Sequence, residues 1–217
     1  SISEKKVCVG KNGVVMSGFP EFGLDKYLKR MRDHGYTIAV YVQDAQTKNT
    51  IRSLLGIYSP GTYFAAESTS ITNHIVCVWI EKITSRVLTK KNGGKPCVYI
   101  GLSTIDIFTG KSYIFQCSEQ YSHTPTTFDE IERFISIYRP NEVLFIYRNF
   151  TEHAINDIIN FSGVRCDSIR KINVDSDENI LCKNAKNSER QSYQKELLNK
   201  FYKVADIDSF FEQYYQY

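Results

Sequence analysis

Carboxylates are the side chains in this sequence best suited to chemistry, because acids gathered at strand ends can hold Mg²⁺ and orient an attacking water. Asp106 is the acid that lies inside a predicted strand, and its possible companions are Glu130, Glu132, Glu142 and Asp157. Each companion is explained more simply as a first-turn helix acid or a surface charge. The pattern therefore favours a turn or strand-end role for Asp106 and keeps a metal-dependent nuclease as an alternative.

Other familiar catalytic patterns are missing from the sequence. It has no GxxxxGK(S/T) loop, GxSxG elbow, HExxH helix or HxE with PCxxC, which argues against P-loop, serine hydrolase, zincin and zinc deaminase chemistry. The six cysteines form no CxxC pair and no zinc spacing; they are Cys8, Cys77, Cys97, Cys117, Cys166 and Cys182. We interpret them as reduced, mostly buried thiols of an intracellular protein, with a disulfide framework as the alternative. The sequence predicts no catalytic, cofactor-binding or metal-binding residue.

Basic residues are concentrated on a helix predicted between Leu24 and a stop at Gly35. Its apolar residues recur at the i, i+3, i+4, i+7 spacing of one helical face. The other positions carry Lys26, Lys29, Arg30 and Arg32. A solvated surface is the simpler interpretation of these charges, and contact with nucleic-acid phosphates is the alternative. The net charge of +3 does not decide between them.

The elements that must position these residues form two predicted units. A length of 217 residues allows one large or two small domains, and no apolar run approaches the roughly 18 to 20 residues of a membrane span, so we expect no membrane partner. In the first unit, residues 1–65, a hairpin turns at Asn12-Gly13, and two buried strands at 37–42 and 53–58 follow the helix. The turn Ser59-Pro60-Gly61 closes this α/β unit.

A small, polar connector at residues 65–72 leads to the second predicted unit, residues 73–170. Strands at 74–81, 97–108 and 111–117 precede a helix capped by Thr126 or Thr127, a strand at 142–147, a helix capped by Thr151 and a strand at 164–168. The order βββαβαβ predicts a mixed sheet flanked by helices, a ribonuclease H-like arrangement. Residues 175–187 look like a loop, and 188–217 are the helical start of a following region.

Several motifs resemble, in order and spacing, the MutS family of DNA mismatch repair proteins. VVMSGFP at 14–20, LDKYL at 24–28, GYTIAV at 35–40 and IYSPGT at 57–62 resemble the back half of its mismatch-recognition domain. YIGLSTIDIFTG at 99–110 and RPNEVL at 139–144 resemble its connector domain, which is ribonuclease H-like. Within this family, the residues of these motifs resemble most closely the branch found in giant viruses and octocoral mitochondria.

The resemblance implies a fragment of a MutS-like ATP-dependent mismatch-binding protein, with a parent that uses ATP and Mg²⁺ and forms a homodimer. Arg52 matches a family position that touches the DNA backbone, and Lys11 and Asn12 fall at the family's basic turn. The family's Phe-x-Glu wedge has no counterpart near the start of this sequence, so we expect binding of duplex DNA that is indifferent to mismatches.

Three functions follow from these observations. The first is a non-catalytic connector with DNA-backbone contacts and a surface for a MutL-like partner, in an intracellular parent that is a DNA-dependent ATPase. The second is a ribonuclease H-like, metal-dependent nuclease, and the third is a structural assembly domain. Only the nuclease is expected to cleave nucleic acid in the presence of a divalent metal, so this activity distinguishes it from the other two functions.

Overall fold

The computed structural model describes residues 8–9, 15–16, 21–43, 52–62, 72–84, 95–166, 168–177, 179–202 and 207–214. We call the described residues up to 62 the N-terminal unit and the described residues between 72 and 187 the sheet unit. Two further helices follow the sheet unit. Among the described residues, no helix is both long enough and apolar enough to cross a membrane.

The N-terminal unit contains two small antiparallel pairs of strands and one helix. β1 (Cys8–Val9) pairs with β2 (Val15–Met16) as the predicted hairpin requires, although its turn lies outside the described residues. A short 3-10 turn leads into α1 (Leu24–Arg32), and Gly35 follows with φ of 76°. A left-handed glycine just beyond the last turn is a common helix stop, which agrees with the prediction.

The second pair consists of β3 (Ile38–Gln43) and β4 (Arg52–Tyr58), with an irregular register between Val40 and Tyr41. We expected both strands to be buried, and this expectation was wrong. Leu54, Leu55 and Ile57 are 49%, 51% and 60% exposed. A two-stranded sheet buries a face only where another element packs on it, and no described helix or strand buries these three side chains.

The sheet unit is built on five strands in the order β7-β6-β5-β8-β9. They are β5 (His74–Ile83), β6 (Cys97–Asp106), β7 (Ser112–Gln120), β8 (Glu142–Arg148) and β9 (Ser168–Asn173). β5, β6 and β7 run antiparallel in consecutive hairpins, whereas β8 and β9 extend the sheet in parallel with β5. The predicted order βββαβαβ and the mixed α/β class with a helix-flanked sheet are confirmed.

The core lies between one face of this sheet and two helices, α2 (Asp129–Tyr138) and α3 (Glu152–Phe161). Every second residue of the central strands points into it, as the period of a pleated strand requires. Its fully buried side chains include Val76, Val78, Ile80, Leu102, Phe128, Ile131, Phe145, Ile155 and Ile158. Thr151 accepts a hydrogen bond from the Ala154 N–H at 3.3 Å, so its predicted cap of α3 is confirmed.

The opposite face of the sheet carries a smaller cluster beneath α4 (Ile180–Asn187). Cys182 and Ala185 of α4 pack there with Ile172 and Val174, and Trp79 and Ile146 contact them while half-buried. We expected a loop or linker at 175–187 because the segment is polar and its apolar residues have no usable period. The helix forms for two reasons. The Asn179 side chain caps it by accepting a hydrogen bond from the Cys182 N–H at 2.9 Å, and packing against the sheet buries Cys182 and Ala185.

Two other details differ from the expectations. Neither Thr126 nor Thr127 caps α2: a 3-10 turn, Pro125–Phe128, precedes the helix, and the capping position is Phe128, which has no side-chain acceptor. The last strand spans 168–173 instead of 164–168. It is an edge strand with the sequence SIRKIN. Because two of its residues are charged, it lacks the continuous apolar run that is typical of a central parallel strand. α5 (Gln191–Tyr202) and α6 (Ile207–Tyr214) follow.

Candidate functional site

The sequence placed the DNA-contact residues in the N-terminal unit. Lys11 and Asn12 lie outside the described residues. Arg52 is the first residue of β4, paired with Gln43 across the ladder, and it is exposed. On α1, Lys26 and Lys29 are exposed, so their ammonium groups can reach a solution partner.

Not every cation of α1 is equally available. Arg32 forms an ion pair with Asp33, with 2.7 Å between Nη2 and Oδ1. His34 sits at the C-terminal end of the same helix, where its Nδ1 lies 2.7 Å from the Arg30 carbonyl oxygen. The His34 ring therefore contacts a carbonyl oxygen of the last turn of α1.

The best-defined polar site is the turn at residues 59–62, which ends the N-terminal unit. Its two hydroxyl side chains close the turn on itself. The Ser59 N–H donates to Thr62 Oγ1 at 2.8 Å, and the Thr62 N–H donates to the Ser59 carbonyl oxygen at 3.1 Å. Ser59 Oγ lies 3.0 Å from Thr62 Oγ1. Proline at position 60 presets φ for a turn of this kind.

Glu142, the first residue of β8, holds this turn against the sheet unit. Its Oε2 accepts from Ser59 Oγ at 2.6 Å and from the Gly61 N–H at 3.2 Å. Its Oε1 lies 3.1 Å from Nε of Arg170 on β9. Glu142 is 5% exposed, and its carboxylate faces three donors of the protein. Paired and hydrogen-bonded charges can be buried without a large penalty.

Arg170 extends the contact to a second point of the N-terminal unit. While its Nε faces Glu142, its Nη2 donates to Oγ1 of Thr37, the residue before β3. One guanidinium therefore contacts Thr37 directly and Ser59 through Glu142. Thr37 and Ser59 flank the same end of the antiparallel β3/β4 pair, where Ile38 is paired with Tyr58. A planar fork with several N–H groups is well suited to such a bridge.

Asn73 attaches the other side of the turn, just before β5. Its Nδ2 donates to the Gly61 carbonyl oxygen at 2.7 Å, and its Oδ1 accepts from Asn141 Nδ2 at 2.7 Å. Its own N–H donates to Asp106 Oδ1 at 3.0 Å. We call this cluster, made of the turn 59–62 with Asn73, Asn141, Glu142 and Arg170, the joint.

Gly61 lies at the tightest point of the joint. A Cβ built on it would stand 2.6 Å from Cγ1 of Ile75 and 2.8 Å from Oε2 of Glu142. These distances are far below any van der Waals contact between such atoms. Only glycine allows the turn to approach the sheet closely enough for the Gly61 N–H to reach Glu142.

Asp106 has the strand-end role that its sequence favoured. Its carboxylate accepts from Thr109 Oγ1 at 2.7 Å, from the Asn73 N–H at 3.0 Å and from the Phe108 N–H at 3.1 Å. The bonds from Thr109 and Asn73 stabilise the charged form, so they lower the pKa of Asp106 despite its burial. The donors that surround this carboxylate close the loop 106–110 and support Asn73.

The site shows no arrangement for catalysis among the described residues. No group of three His, Cys, Asp or Glu side chains in that part of the chain could hold a metal ion. The Cys77 thiol is unsuited to nucleophilic attack, because burial raises its pKa to about 11, although a hydrogen bond with Ser103 opposes the shift. What the joint can do is hold two units in one orientation.

A second polar cluster lies at the other end of β8. Arg148, its last residue, forms ion pairs with Glu189 at 2.5 Å, Glu81 at 3.5 Å and Asp175 at 3.6 Å. The Asn149 N–H also donates to Asp175 at 2.9 Å. β8 thus contacts the N-terminal unit through its first residue and the segment that leads to α5 through its last.

Three of the sequence motifs meet at or beside the joint, although the sequence did not show that they meet, and Asn73 and Arg170 lie in none of these motifs. IYSPGT supplies Ser59 and Gly61, the strand ending in IDIFTG supplies Asp106, and RPNEVL supplies Glu142. Glu142 was interpreted as a surface charge or a metal ligand, and the structure corrects this. The only available signal was an acid at the start of an otherwise apolar strand, which is unusual unless the acid has a buried partner.

Comparison with known proteins gives an independent result. Residues 1–67 match the family model described as MutS domain I. The chain is 30% identical over 137 residues to a mutS homolog of Acanthamoeba polyphaga mimivirus, covering 62% of this chain and 12% of that protein. It is 28% identical over 138 residues to the DNA mismatch repair protein MutS of Thermodesulfovibrio yellowstonii, covering 62% and 13%. The MutS of Clostridium kluyveri is 25% identical over 199 residues, covering 88% and 20%. The chain therefore spans a small part of these relatives.

Proposed function

Because the chain belongs to the MutS family, we propose that it is the portion of a mismatch-binding ATPase that contacts the DNA backbone and connects that contact to the rest of the protein. In this proposal the chain is not catalytic. The parent supplies ATP hydrolysis with Mg²⁺, acts as a homodimer on mismatched duplex DNA, and offers the sheet unit as a surface for a MutL-like partner.

The joint is the observation that supports the connecting role. Motifs that are about 80 residues apart in sequence meet at Glu142, which is 83 residues from Ser59. A buried carboxylate with three donors, next to a glycine that has no room for a Cβ, allows little rotation between the units. A displacement of β4 by DNA would therefore be passed to β8 and β9 instead of being lost in a flexible connection.

The DNA contact in this proposal is sequence-independent. Arg52, Lys26 and Lys29 are exposed cations on the N-terminal unit, and cations of this kind address phosphates, which position a protein without reading bases. We expect weak, salt-sensitive binding by the chain, with equal affinity for matched and mismatched duplexes. A clear preference for the mismatch would show that this chain reads bases and would contradict the proposal.

The nuclease alternative receives no support from the geometry at Asp106, whose carboxylate is already occupied by three donors. Incubation of the chain with duplex and single-stranded DNA or RNA and Mg²⁺ tests it directly. The connector proposal expects no cleavage above the level seen with a chelator.

Hydrogen exchange in the presence and absence of duplex DNA tests the connecting role. We expect DNA to slow amide exchange in residues 52–62 and, through the joint, in residues 72–74 and 141–143. In Gly61→Ala the added Cβ clashes with Ile75 and Glu142. In this variant DNA should still slow exchange in residues 52–62 but should no longer slow it in residues 72–74 and 141–143.

Gly101→Ala is the matched control, because a Cβ at Gly101 would stand 3.7 Å from Cβ of Trp79, an ordinary contact. It should behave as the unmodified chain. Slower exchange at 141–143 that survives Gly61→Ala would mean that the joint transmits nothing, and the connecting role would have to be abandoned.

A further inference from the structure

β7 is the outer strand of the five-stranded sheet, and no described strand pairs with its free edge. It is nine residues long and its register with β6 runs without a bulge from Ser112 to Gln120. It contains no proline or lysine, which are common protections of an edge. Tyr113, Ile114 and Phe115 are 49%, 75% and 40% exposed. A long, regular edge with three exposed apolar side chains is suited to pairing with another strand.

Three contacts, one within β7 and two at the residues that flank it, show which backbone groups of β7 face β6. The Lys111 carbonyl oxygen accepts from the Asp106 N–H at 2.9 Å, the Glu119 carbonyl oxygen accepts from the Cys97 thiol at 3.1 Å, and the Tyr121 N–H donates to the Pro96 carbonyl oxygen at 2.8 Å. Since backbone groups alternate sides along a strand, odd-numbered residues face β6. The even-numbered residues, including Ile114 and Gln116, present their N–H and C=O groups to the free edge.

We propose that β7 pairs antiparallel with β7 of a second copy of this chain, with the two-fold axis at Phe115. In this register Ile114 exchanges hydrogen bonds with Gln116 of the second copy, and Ser112 with Ser118 of the second copy. These are all even-numbered residues, as the free edge requires. The contact is isologous, so each bond occurs twice.

Charge complementarity selects this register from its neighbours. With the axis at Phe115, Lys111 lies directly opposite Glu119 of the second copy, at both ends of the pairing. Opposite charges that face each other across strands stabilise the pair. Moving the axis to Ile114 or Gln116 keeps the hydrogen-bonding parity but separates the two charges. Among the described residues neither Lys111 nor Glu119 makes an ion pair of its own, so both are available.

The apolar side chains fit the same register. The two Phe115 rings meet at the axis as a non-hydrogen-bonded pair, where facing side chains approach most closely. On the other face, Ile114 of each copy becomes a diagonal neighbour of Ile114 in the second copy. The three large apolar side chains exposed on β7 would thus lie at or near the contact. The pairing uses neither the joint nor DNA and goes beyond the function proposed above.

Charge exchange tests the pairing. We expect the unmodified chain to show a reversible monomer–dimer equilibrium by sedimentation equilibrium without DNA. Glu119→Lys places two lysines opposite each other and should weaken dimerisation at least tenfold. The double variant Lys111→Glu/Glu119→Lys restores opposite charges and should return to within about threefold of the unmodified chain. Circular dichroism spectra check that each variant is folded.

A proline substitution separates backbone pairing from charge. The Gln116 N–H faces the free edge, so Gln116→Pro removes a donor needed by the dimer without removing a bond to β6, and dimerisation should be lost. Gln116→Ala keeps the N–H and should retain the dimer. A chain that stays monomeric up to millimolar concentration overturns the proposal, as does a dimer that Glu119→Lys leaves unchanged.

Discussion

The strands of the N-terminal unit are at least as rich in apolar residues as those of the sheet unit, yet the two units are stabilised in different ways. In the sheet unit, β5, β6 and β8 bury every second side chain under two helices. In the described N-terminal unit Leu28 is the buried hydrophobic side chain, and the other buried residues, Ser59 and Gly61, belong to the joint.

This difference shows that the same local pattern can have two structural outcomes. Strand sequences rich in Val, Ile and Leu bury their side chains where helices cover the sheet, and leave them exposed where only a pair of strands is present. The N-terminal unit is therefore attached to the sheet unit by polar contacts, which depend on direction and distance more than apolar packing does. Its orientation should be easier to disturb than the fold of the sheet unit.

The largest effect is expected from the core of the sheet unit. Phe145 is fully buried between the sheet and its helices, so Phe145→Ala should lower the free energy of unfolding by about 3–5 kcal/mol. Ile57→Ala removes a large apolar side chain that is 60% exposed and should cost less than about 1 kcal/mol. Urea denaturation measures both. Equal losses would show that the N-terminal unit has a comparable core.

Loss of Glu142 should separate the units without unfolding the larger one. Glu142→Ala leaves Ser59, the Gly61 N–H and Arg170 without their acceptor, and we expect a loss of about 2–3 kcal/mol. This is below the 3–5 kcal/mol of a fully buried pair because Arg170 is partly exposed.

Limited proteolysis followed by size exclusion measures this separation. Cleavage within residues 65–72 of the unmodified chain should leave two pieces that elute together, whereas the pieces of Glu142→Ala should elute apart. Glu152→Ala, which removes an exposed acid paired with Lys171, is the control and should leave the pieces together. Pieces of the unmodified chain that elute apart would mean that the joint does not hold the units.

Asp106 should make the stability of the chain depend on pH in the acid range. Its pKa is lowered in the folded state, so its contribution is fully present above the unfolded pKa, roughly 4, and is lost as the pH falls through the lower folded value. Asp106→Asn should lower the free energy of unfolding by about 2 kcal/mol at pH 7. Between pH 4 and pH 2 the stability of this variant should fall less steeply than that of the unmodified chain. Thermal unfolding at each pH measures this. Parallel curves would contradict the role assigned to Asp106.

The smallest effect on stability is expected at Arg52. Arg52→Ala should change the free energy of unfolding by less than about 0.5 kcal/mol because the side chain is exposed. If Arg52 contacts a phosphate, the slope of log affinity against log salt should fall by about 0.9 on duplex DNA. Lys183→Ala removes one exposed positive charge from α4 and should leave that slope unchanged. An unchanged slope in Arg52→Ala would remove Arg52 from the DNA contact.

Much of this protein follows from the sequence alone. The family resemblance, the order of elements in the sheet unit, the Thr151 cap and the strand-end role of Asp106 were all predicted. They rest on local physics: alternating apolar residues, a hydroxyl before a helix, and an acid before a tight turn are each decided within a few residues. The domain boundaries at 1–65, 73–170 and 188–217 stay predictions.

Tertiary structure decided what these pieces do together. Whether Leu54 and Ile57 are buried depends on what packs over β3 and β4, and α4 forms because Cys182 and Ala185 find a sheet face to cover. Glu142 could be recognised as a buried acceptor only when the turn at 59–62 and Arg170 were seen beside it. The physical reason is that burial and charge compensation are properties of neighbours in space, and the neighbours of Glu142 are far from it along the chain.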